Sequence, residues 1–139
     1  MSARKIDRID IQTSCFHEAG HLIALHHLGG VGFIRFKEKK GSVEIHHNPK
    51  DRESIRIVGL AGAIAEYIFV GTLAGRSALT LETLCQHLMR RRMSDTDKAA
   101  AEGYTDATVQ STIDLLTQHW AEVEFAAGWE IDKLMEVAQ

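Results

Sequence analysis

One stretch of twenty residues limits the fold more than any other part of this sequence. From Asp51 to Val70 the apolar residues recur near the helical period, which predicts a helix. Within it, residues 62–65 read Gly-Ala-Ile-Ala, and small side chains of this kind let another helix approach closely. The sequence therefore predicts a helix that packs tightly against a neighbouring one.

A second helix is predicted from Asp10 to Leu28. Aspartate is favoured as the N-cap of a helix, so Asp10 is the predicted start. Glycine suits the left-handed conformation that often ends a helix, so Gly29-Gly30 is the predicted stop. We expect this helix to be the one that packs against the small residues of the 51–70 segment.

Two short runs of alternating apolar and polar residues follow this helix. Residues 33–37 and 42–46 each place two apolar side chains on one face, which predicts two strands. Lys39-Lys40-Gly41 lies between them and predicts a hairpin turn. The sequence thus predicts one small β-hairpin.

The rest of the chain has helical patterns. A helix is predicted from Thr80 to Met93, and a further one starts at Ser94-Asp95 and closes at Gly103. Thr105 is the predicted N-cap of the last segment, which is one long helix or two helices meeting near Gly128. The 139 residues therefore predict one domain, 1–139, of the α+β class, predominantly helical with one hairpin.

Composition and short motifs narrow the classes of partner. A net charge of −3 argues against a nucleic-acid partner, and charged residues such as Glu66 interrupt the apolar run 55–81, which argues against a membrane span. Cys15 and Cys85 fit reduced thiols better than a disulfide framework, and no signal peptide is evident, so we expect a cytoplasmic protein. No GxxxxGK phosphate loop occurs in the sequence.

The motif with the most specific chemistry is HEAGH, from His17 to His21. A shuffled chain of this composition would hold roughly 0.035 copies of HExxH, so chance alone is a poor explanation. Two histidines four residues apart project from one face of a helix, and neutral imidazole is a good zinc ligand. Glu18 lies about 100° round the helix from His17, where its carboxylate can accept a proton from a water on the metal.

A catalytic zinc site needs a third protein ligand, and the residues alone leave more than one candidate. His27 ranks low, because in a continuous helix it lies about 15 Å along the axis from His17. Glu66 is a candidate because it interrupts a small, apolar segment, and it could instead orient a metal-bound histidine. Asp95 is another candidate, although Asp95 or Asp97 would also be ordinary anions in the first turn of a helix.

Three segments in order resemble the peptidase domain of FtsH-type ATP-dependent zinc proteases. Residues 17–21 match its HEAGH, residues 59–71 (GLAGAIAEYIFVG) are similar to its GGRAAEELIFG, and residues 94–99 (SDTDKA) are similar to its SND-LxKAT. The resemblance spans about residues 14–101 and implies that His17, His21 and Asp95 bind Zn²⁺. It implies Glu18 as catalytic base and Glu66 as a supporting carboxylate, with Asp97 as third ligand if the last segment slips by two residues.

The family joins this domain to a membrane anchor and an ATPase ring, and we expect neither in this chain. The resemblance therefore predicts a zinc metalloendopeptidase that acts without ATP on flexible or unfolded polypeptides, or on one dedicated target. The alternative is a catalytically inactive metal-binding module that regulates or binds other proteins, because a shared fold does not guarantee a shared function.

Two further groups of residues favour structural positions over functional ones. His46-His47, His87 and His119 have no ligand spacing, which favours polar surface positions over a second metal site. Trp120, Phe125 and Trp129 are predicted to share one broad helical face, packed in the core or against another subunit, so the oligomeric state stays open.

Overall fold

Two long helices, α1 (Ser2–His27) and α2 (Arg52–Leu73), pack against each other at the centre of the fold. The computed structural model describes residues 2–37, 40–73, 84–86, 88 and 93–138. The other elements are strands β1 and β2 and helices α3, α4 and α5, with these bounds: Val31–Lys37, Lys40–His47, Asp95–Ala101, Asp106–Gln118 and Trp120–Ala138. Helix α1 also contacts α5 and the hairpin, while α2 also contacts α3 and α4. The predicted class, predominantly helical α+β with one small antiparallel sheet, is confirmed.

Helix α1 ends where the sequence predicts and begins earlier. Gly29 has φ +89° directly after the last turn, and the N–H of Gly30 donates to the carbonyl of Leu25 at 2.8 Å. The predicted start at Asp10 is wrong, because the helix runs without a break from Ser2. The preceding residues include lysine and two arginines, which are good helix formers, and no glycine or proline interrupts them.

The hairpin is antiparallel, and its second strand begins earlier than predicted. Lys39 of the predicted turn lies outside the described residues. Lys37 pairs with Lys40, and Phe36 pairs with Gly41, so both Lys40 and Gly41 belong to β2 rather than to the turn. The inner face of β1 carries Ile34 and Phe36, which pack against the hydrophobic core as the alternation predicts. The hairpin therefore lies with its inner face on α1.

Helix α2 is the buried helix of the fold. Asp51 caps it by accepting from the backbone N–H of Ser54 at 2.9 Å and from the Ser54 hydroxyl at 2.8 Å. Among the described helices, the part Arg52–Thr72 is long and apolar enough to cross a membrane by length and composition. In the most apolar stretch of this helix, 61% is buried inside the protein. The buried core helix of a globular protein can have the same length and composition as a membrane span, so this similarity is weak evidence for a membrane.

The short helices begin at the residues that the sequence predicts. Ser94 caps α3 by accepting from the N–H of Asp97, and Gly103 follows the helix with φ +83°. Thr105 caps α4 in a reciprocal capping box with Thr108. Of the helix predicted from Thr80 to Met93, residues 84–86 and 88 are helical, and the rest lies outside the described residues apart from Met93, which is not helical.

The last segment divides at His119 and not near Gly128. His119 leaves the helical conformation between α4 and α5 with φ −112° and ψ 25°. Trp120 then stacks on Phe16 of α1 with ring centroids 5.6 Å apart, so a core contact and not a glycine sets the direction of α5. Trp120 thus packs against the core, as one of the two alternatives predicts, whereas Phe125 and Trp129 are 76% and 62% exposed and do not. Packing of Phe125 and Trp129 against another subunit stays a prediction.

Candidate metal centre

His17 and His21 turn their rings toward each other from one face of α1. Their ring centroids are 4.7 Å apart at an interplanar angle of 75°, and their two Nε2 atoms lie 3.0 Å apart. This is the pairing that the four-residue spacing predicts for a helix. His21 is buried and His17 is half-buried, so the pair lies at the inner wall of a cleft.

Asp97 completes a group of three candidate ligands with these histidines. Its Oδ2 lies 3.3 Å from Nε2 of His17 and 3.3 Å from Nε2 of His21. Asp95, the third ligand that the family resemblance implies, is an exposed residue and does not belong to this group. The two aspartates are the first and third residues of α3, about 200° apart round the helix axis, so only one of them can face α1.

The outer nitrogens of both rings are engaged elsewhere. Nδ1 of His21 donates to the backbone carbonyl of Val58 on α2 at 2.6 Å. Nδ1 of His17 lies 3.2 Å from Oε1 of Glu66, as an ion-pair contact and not a well-aligned hydrogen bond. Each contact favours the proton on Nδ1, which leaves the lone pair of Nε2 directed inward. Glu66 thus has the supporting position that the resemblance implies for it.

The donor set fits a zinc ion. Two imidazole nitrogens and one carboxylate oxygen are three of the ligand types that Zn²⁺ prefers, at metal distances of about 2.0–2.2 Å. In a tetrahedral site such distances put neighbouring ligand atoms about 3.3 Å apart. The observed separations are 3.0, 3.3 and 3.3 Å. Three lone pairs that meet at this spacing need a proton or a cation between them, so the residues fit a metal.

The electrostatics of the group also favour a cation. Burial lowers the pKa of His17, but the contacts with Asp97 and Glu66 outweigh it and raise that pKa to about 9. Burial raises the pKa of Asp97, but its contacts with His17 and His21 hold it well below its usual range. Three carboxylates, those of Asp97, Glu66 and Glu18, surround the two imidazoles. Without a metal, a proton on His17 therefore supplies part of the positive charge that a bound cation would supply.

Glu18 lies beside the group without belonging to it. The residue is only 6% exposed, and its Oε2 is buried with no hydrogen-bond partner. Its Oε1 lies 3.9 Å from Nε2 of His17. Burial raises the pKa of Glu18, and the two histidines act against that rise. A buried carboxylate oxygen without a hydrogen-bond partner costs folding free energy, so it calls for an explanation. A water held in the cleft would be a partner for this oxygen.

Three glycines let the helices come close enough to form the group. A Cβ on Gly20 would lie 2.6 Å from the carbonyl oxygen of Ala61, so this glycine lets the backbone of α2 come close beside the motif. A Cβ on Gly59 would lie 2.8 Å from Cβ of Ala100 on α3. A Cβ on Gly62 would overlap Nε2 of His21 and lie 2.6 Å from Nε2 of His17. Gly62 therefore provides the space that the two imidazoles occupy.

Replacing Gly62 by alanine is expected to disrupt the metal centre. The added methyl group forces both imidazoles outward, so zinc affinity falls and the free energy of unfolding drops by about 1–3 kcal/mol. Gly71 of α2 is a matched control, because a Cβ there has no atom within 4 Å. Gly71→Ala should keep zinc affinity and raise stability by roughly 0.5–1 kcal/mol. Calorimetric zinc titration and denaturant unfolding measure both, and wild-type zinc affinity in Gly62→Ala would contradict this assignment.

The group faces a cleft of about 570 Å³. Helices α1, α2 and α3 line the cleft with His17, His21, Glu18, Glu66 and Asp97, and β2 lines it with Lys40, Ser42, Val43 and Ile45. Gly41 brings β2 close to the glutamate, since a Cβ there would lie 3.0 Å from Cγ of Glu18. The cleft is large enough for several residues of an extended peptide.

Two arginines that sequence reasoning missed hold α3 against α2. Arg52 donates to the carbonyls of Ala100 and Ala99 at 2.8 and 2.9 Å, and Arg56 donates to the carbonyl of Glu102 at 2.9 Å. These bonds supply donors to backbone carbonyls in and just after the last turn of α3, where a helix offers few N–H partners of its own. No local signal announces them, because the partners are separated by 46 to 48 residues in sequence.

His27 does not reach this group, as the continuous α1 helix predicts, and pairs with Glu122 instead. No family model matches the chain, and a search of curated proteins gives no match either. The likeness to FtsH-type peptidase domains therefore stays a prediction from the three sequence segments.

Proposed function

We propose that this chain is a zinc-dependent metallopeptidase that hydrolyses peptide bonds, with Glu18 as the general base. The proposal rests on one observation: the two imidazole nitrogens and Oδ2 of Asp97 converge to within 3.3 Å beside a buried glutamate oxygen with no partner. His17, His21 and Asp97 would hold the metal. The proposed third ligand is thus Asp97, two residues beyond the aspartate that the FtsH-type resemblance implies.

The residues of the site divide the work of hydrolysis. When bound, zinc supplies a Lewis acid that polarises a carbonyl and lowers the pKa of a water towards about 7. Glu18 accepts a proton from the attacking water at its unpartnered carboxylate oxygen and returns it to the leaving amine. Glu66 and the carbonyl of Val58 fix the ring orientations of His17 and His21 during the reaction.

The hairpin suggests how an extended substrate would be held. Strand β2 lines the cleft. Within the described residues, β1 pairs with one edge of β2 and no strand pairs with the other edge. An extended peptide could add to the other edge by backbone hydrogen bonds, which are independent of side-chain sequence. Such binding suits flexible or unfolded polypeptides, which we propose as the substrate class.

Removal and return of metal tests the proposal. Protein stripped with a chelator and dialysed should lose cleavage of an unfolded substrate such as casein, because His17, His21 and Asp97 then hold no Lewis acid. Addition of one equivalent of Zn²⁺ to the site should restore the activity. A gel assay measures the cleavage of casein, and metal analysis of the same samples measures their zinc content. Cleavage that persists after the metal is gone would contradict a metallopeptidase. Fully zinc-loaded protein that cleaves neither casein nor a peptide library would instead favour the inactive metal-binding module.

A further inference from the structure

A second group of metal-ligating side chains lies at the other end of α1. It consists of His27, the last residue of α1, His119 between α4 and α5, and Glu122 in the first turn of α5. Nε2 of His27 lies 2.9 Å and Nδ1 of His119 2.7 Å from the same carboxylate oxygen, Oε2 of Glu122. Within the described residues this is one of two groups in which at least three such ligand atoms lie within 4.8 Å of one another.

This group is separate from the HEAGH site. His17 and His27 are ten residues apart on one unbroken helix, which corresponds to about 15 Å along its axis. No residue is shared between the two groups, so an ion bound at one cannot take ligands from the other. The two sites can therefore be removed independently by substitution.

The ring geometry brings two nitrogens to one point. The imidazoles of His27 and His119 stack with centroids 3.6 Å apart and an interplanar angle of 18°, so that the Nε2 of one and the Nδ1 of the other both turn to Glu122. A neutral imidazole can carry its proton on either nitrogen. Each ring can therefore move its proton to the outer nitrogen and present a lone pair beside the carboxylate.

The spacing and exposure of the group allow an ion to enter. The nitrogen–oxygen distances of 2.9 and 2.7 Å are shorter than the 3.3 Å expected between tetrahedral ligands, so the ligands must separate by about 0.5 Å. The side chains of His27, His119 and Glu122 are 33%, 24% and 51% exposed, so none is locked in the core. Solvent can reach the group and can complete the coordination as water.

We propose that His27, His119 and Glu122 form a second binding site for a divalent transition-metal ion, of which Zn²⁺ is the type. Two imidazoles and one carboxylate are the ligand set that such ions prefer over Mg²⁺ or Ca²⁺. The ion would join the C-terminal end of α1 to the junction of α4 and α5, and its protein ligands come from segments about 90 residues apart in sequence. The site is structural in kind, because it joins separate helices and no buried side-chain base without a partner accompanies it among the described residues.

Zinc content after equilibrium dialysis tests this site without any activity assay. Wild-type protein should hold two equivalents, and each substitution in the second group should leave one: His27→Ala, His119→Ala and Glu122→Gln. The double variant His17→Ala/His21→Ala should also hold one equivalent, which separates this proposal from the proposed peptidase site. Co²⁺ absorption of the same variants gives an independent count, because each occupied site contributes its own band.

The control uses two described histidines that belong to neither group. The double variant His46→Ala/His47→Ala should keep two equivalents. Zinc content that is unchanged from wild type in His27→Ala, His119→Ala and Glu122→Gln would overturn the assignment, as would loss of all zinc in His17→Ala/His21→Ala or loss of zinc in the His46→Ala/His47→Ala control. Circular dichroism checks that each variant is folded, and His27→Gln and His119→Gln replace any alanine variant that is not.

Discussion

Replacing Glu18 by glutamine is expected to remove peptide-bond cleavage and to leave zinc bound. Glutamine has the same shape but cannot accept a proton from water, and general base catalysis contributes about 10²–10⁴-fold to such reactions. We therefore expect kcat to fall by at least about 100-fold. Zinc affinity should change little, because Glu18 contributes no atom to the group formed by His17, His21 and Asp97.

Stability gives the Glu18→Gln experiment a second, independent readout. The variant replaces a buried carboxylate, whose Oε2 has no hydrogen-bond partner, by a neutral amide. A buried carboxylate oxygen without a hydrogen-bond partner is costly, so the variant should be at least as stable to denaturant as the wild-type protein. Such a gain in stability with a loss of activity is the usual signature of a functional residue.

The exposed Glu124 of α5, which does not line the cleft, provides a control that removes the same charge. Glu124→Gln should keep wild-type activity, zinc affinity and stability. The assigned role of Glu18 would be wrong if Glu18→Gln cleaved casein at the wild-type rate with zinc bound. Loss of zinc together with loss of activity would instead make Glu18 a ligand and not a base.

Features set by local chemistry could be predicted from the sequence. Ser94 and Thr105 cap helices because their hydroxyls accept from the N–H groups of the next turn, a contact that involves only three or four residues. Gly29 and Gly103 have the left-handed conformation for an equally local reason. The pairing of His17 with His21 follows from helix geometry alone.

Features set by packing between distant segments could not be predicted. Nothing near His119 signals a helix end, and the break there goes with the packing of Trp120 on Phe16, more than 100 residues earlier in the chain. Gly128 looked like a break because glycine weakens helices, yet it lies inside α5. The meeting of His27 with His119 likewise depends on how α1 packs against α5, which no short motif encodes.

The identity of the third candidate ligand is the sharpest case of this limit. Both aspartates follow the Ser94 cap and both have the right chemistry, so the sequence alone leaves the choice open. The face of α3 that turns inward is fixed by its contact with α2, where a Cβ on Gly59 would lie 2.8 Å from Ala100 and 3.0 Å from the carbonyl oxygen of Asp97. That contact directs Asp97 to the histidines and leaves Asp95 exposed.

Replacing Asp97 by asparagine is therefore expected to weaken zinc binding far more than the same change at Asp95. A neutral amide oxygen is a poorer zinc ligand than a carboxylate, and loss of a direct ligand should exceed the 10–100-fold effect typical of an outer partner. We expect the dissociation constant for Zn²⁺ to rise by more than about 100-fold in Asp97→Asn. Cleavage of casein at limiting zinc should fall in parallel, because the metal is required for the reaction.

Asp95→Asn is the matched control, since it makes the same chemical change on the same helix two residues away. Asp95 lies at the first position of α3, where a negative charge interacts favourably with the helix dipole. Its loss should lower the free energy of unfolding by about 0.3–1 kcal/mol and leave zinc affinity unchanged. Calorimetric titration of both variants with Zn²⁺ decides between the two aspartates. Weakened zinc binding in Asp95→Asn with normal binding in Asp97→Asn would contradict this assignment and would favour Asp95, the ligand that the family resemblance implies.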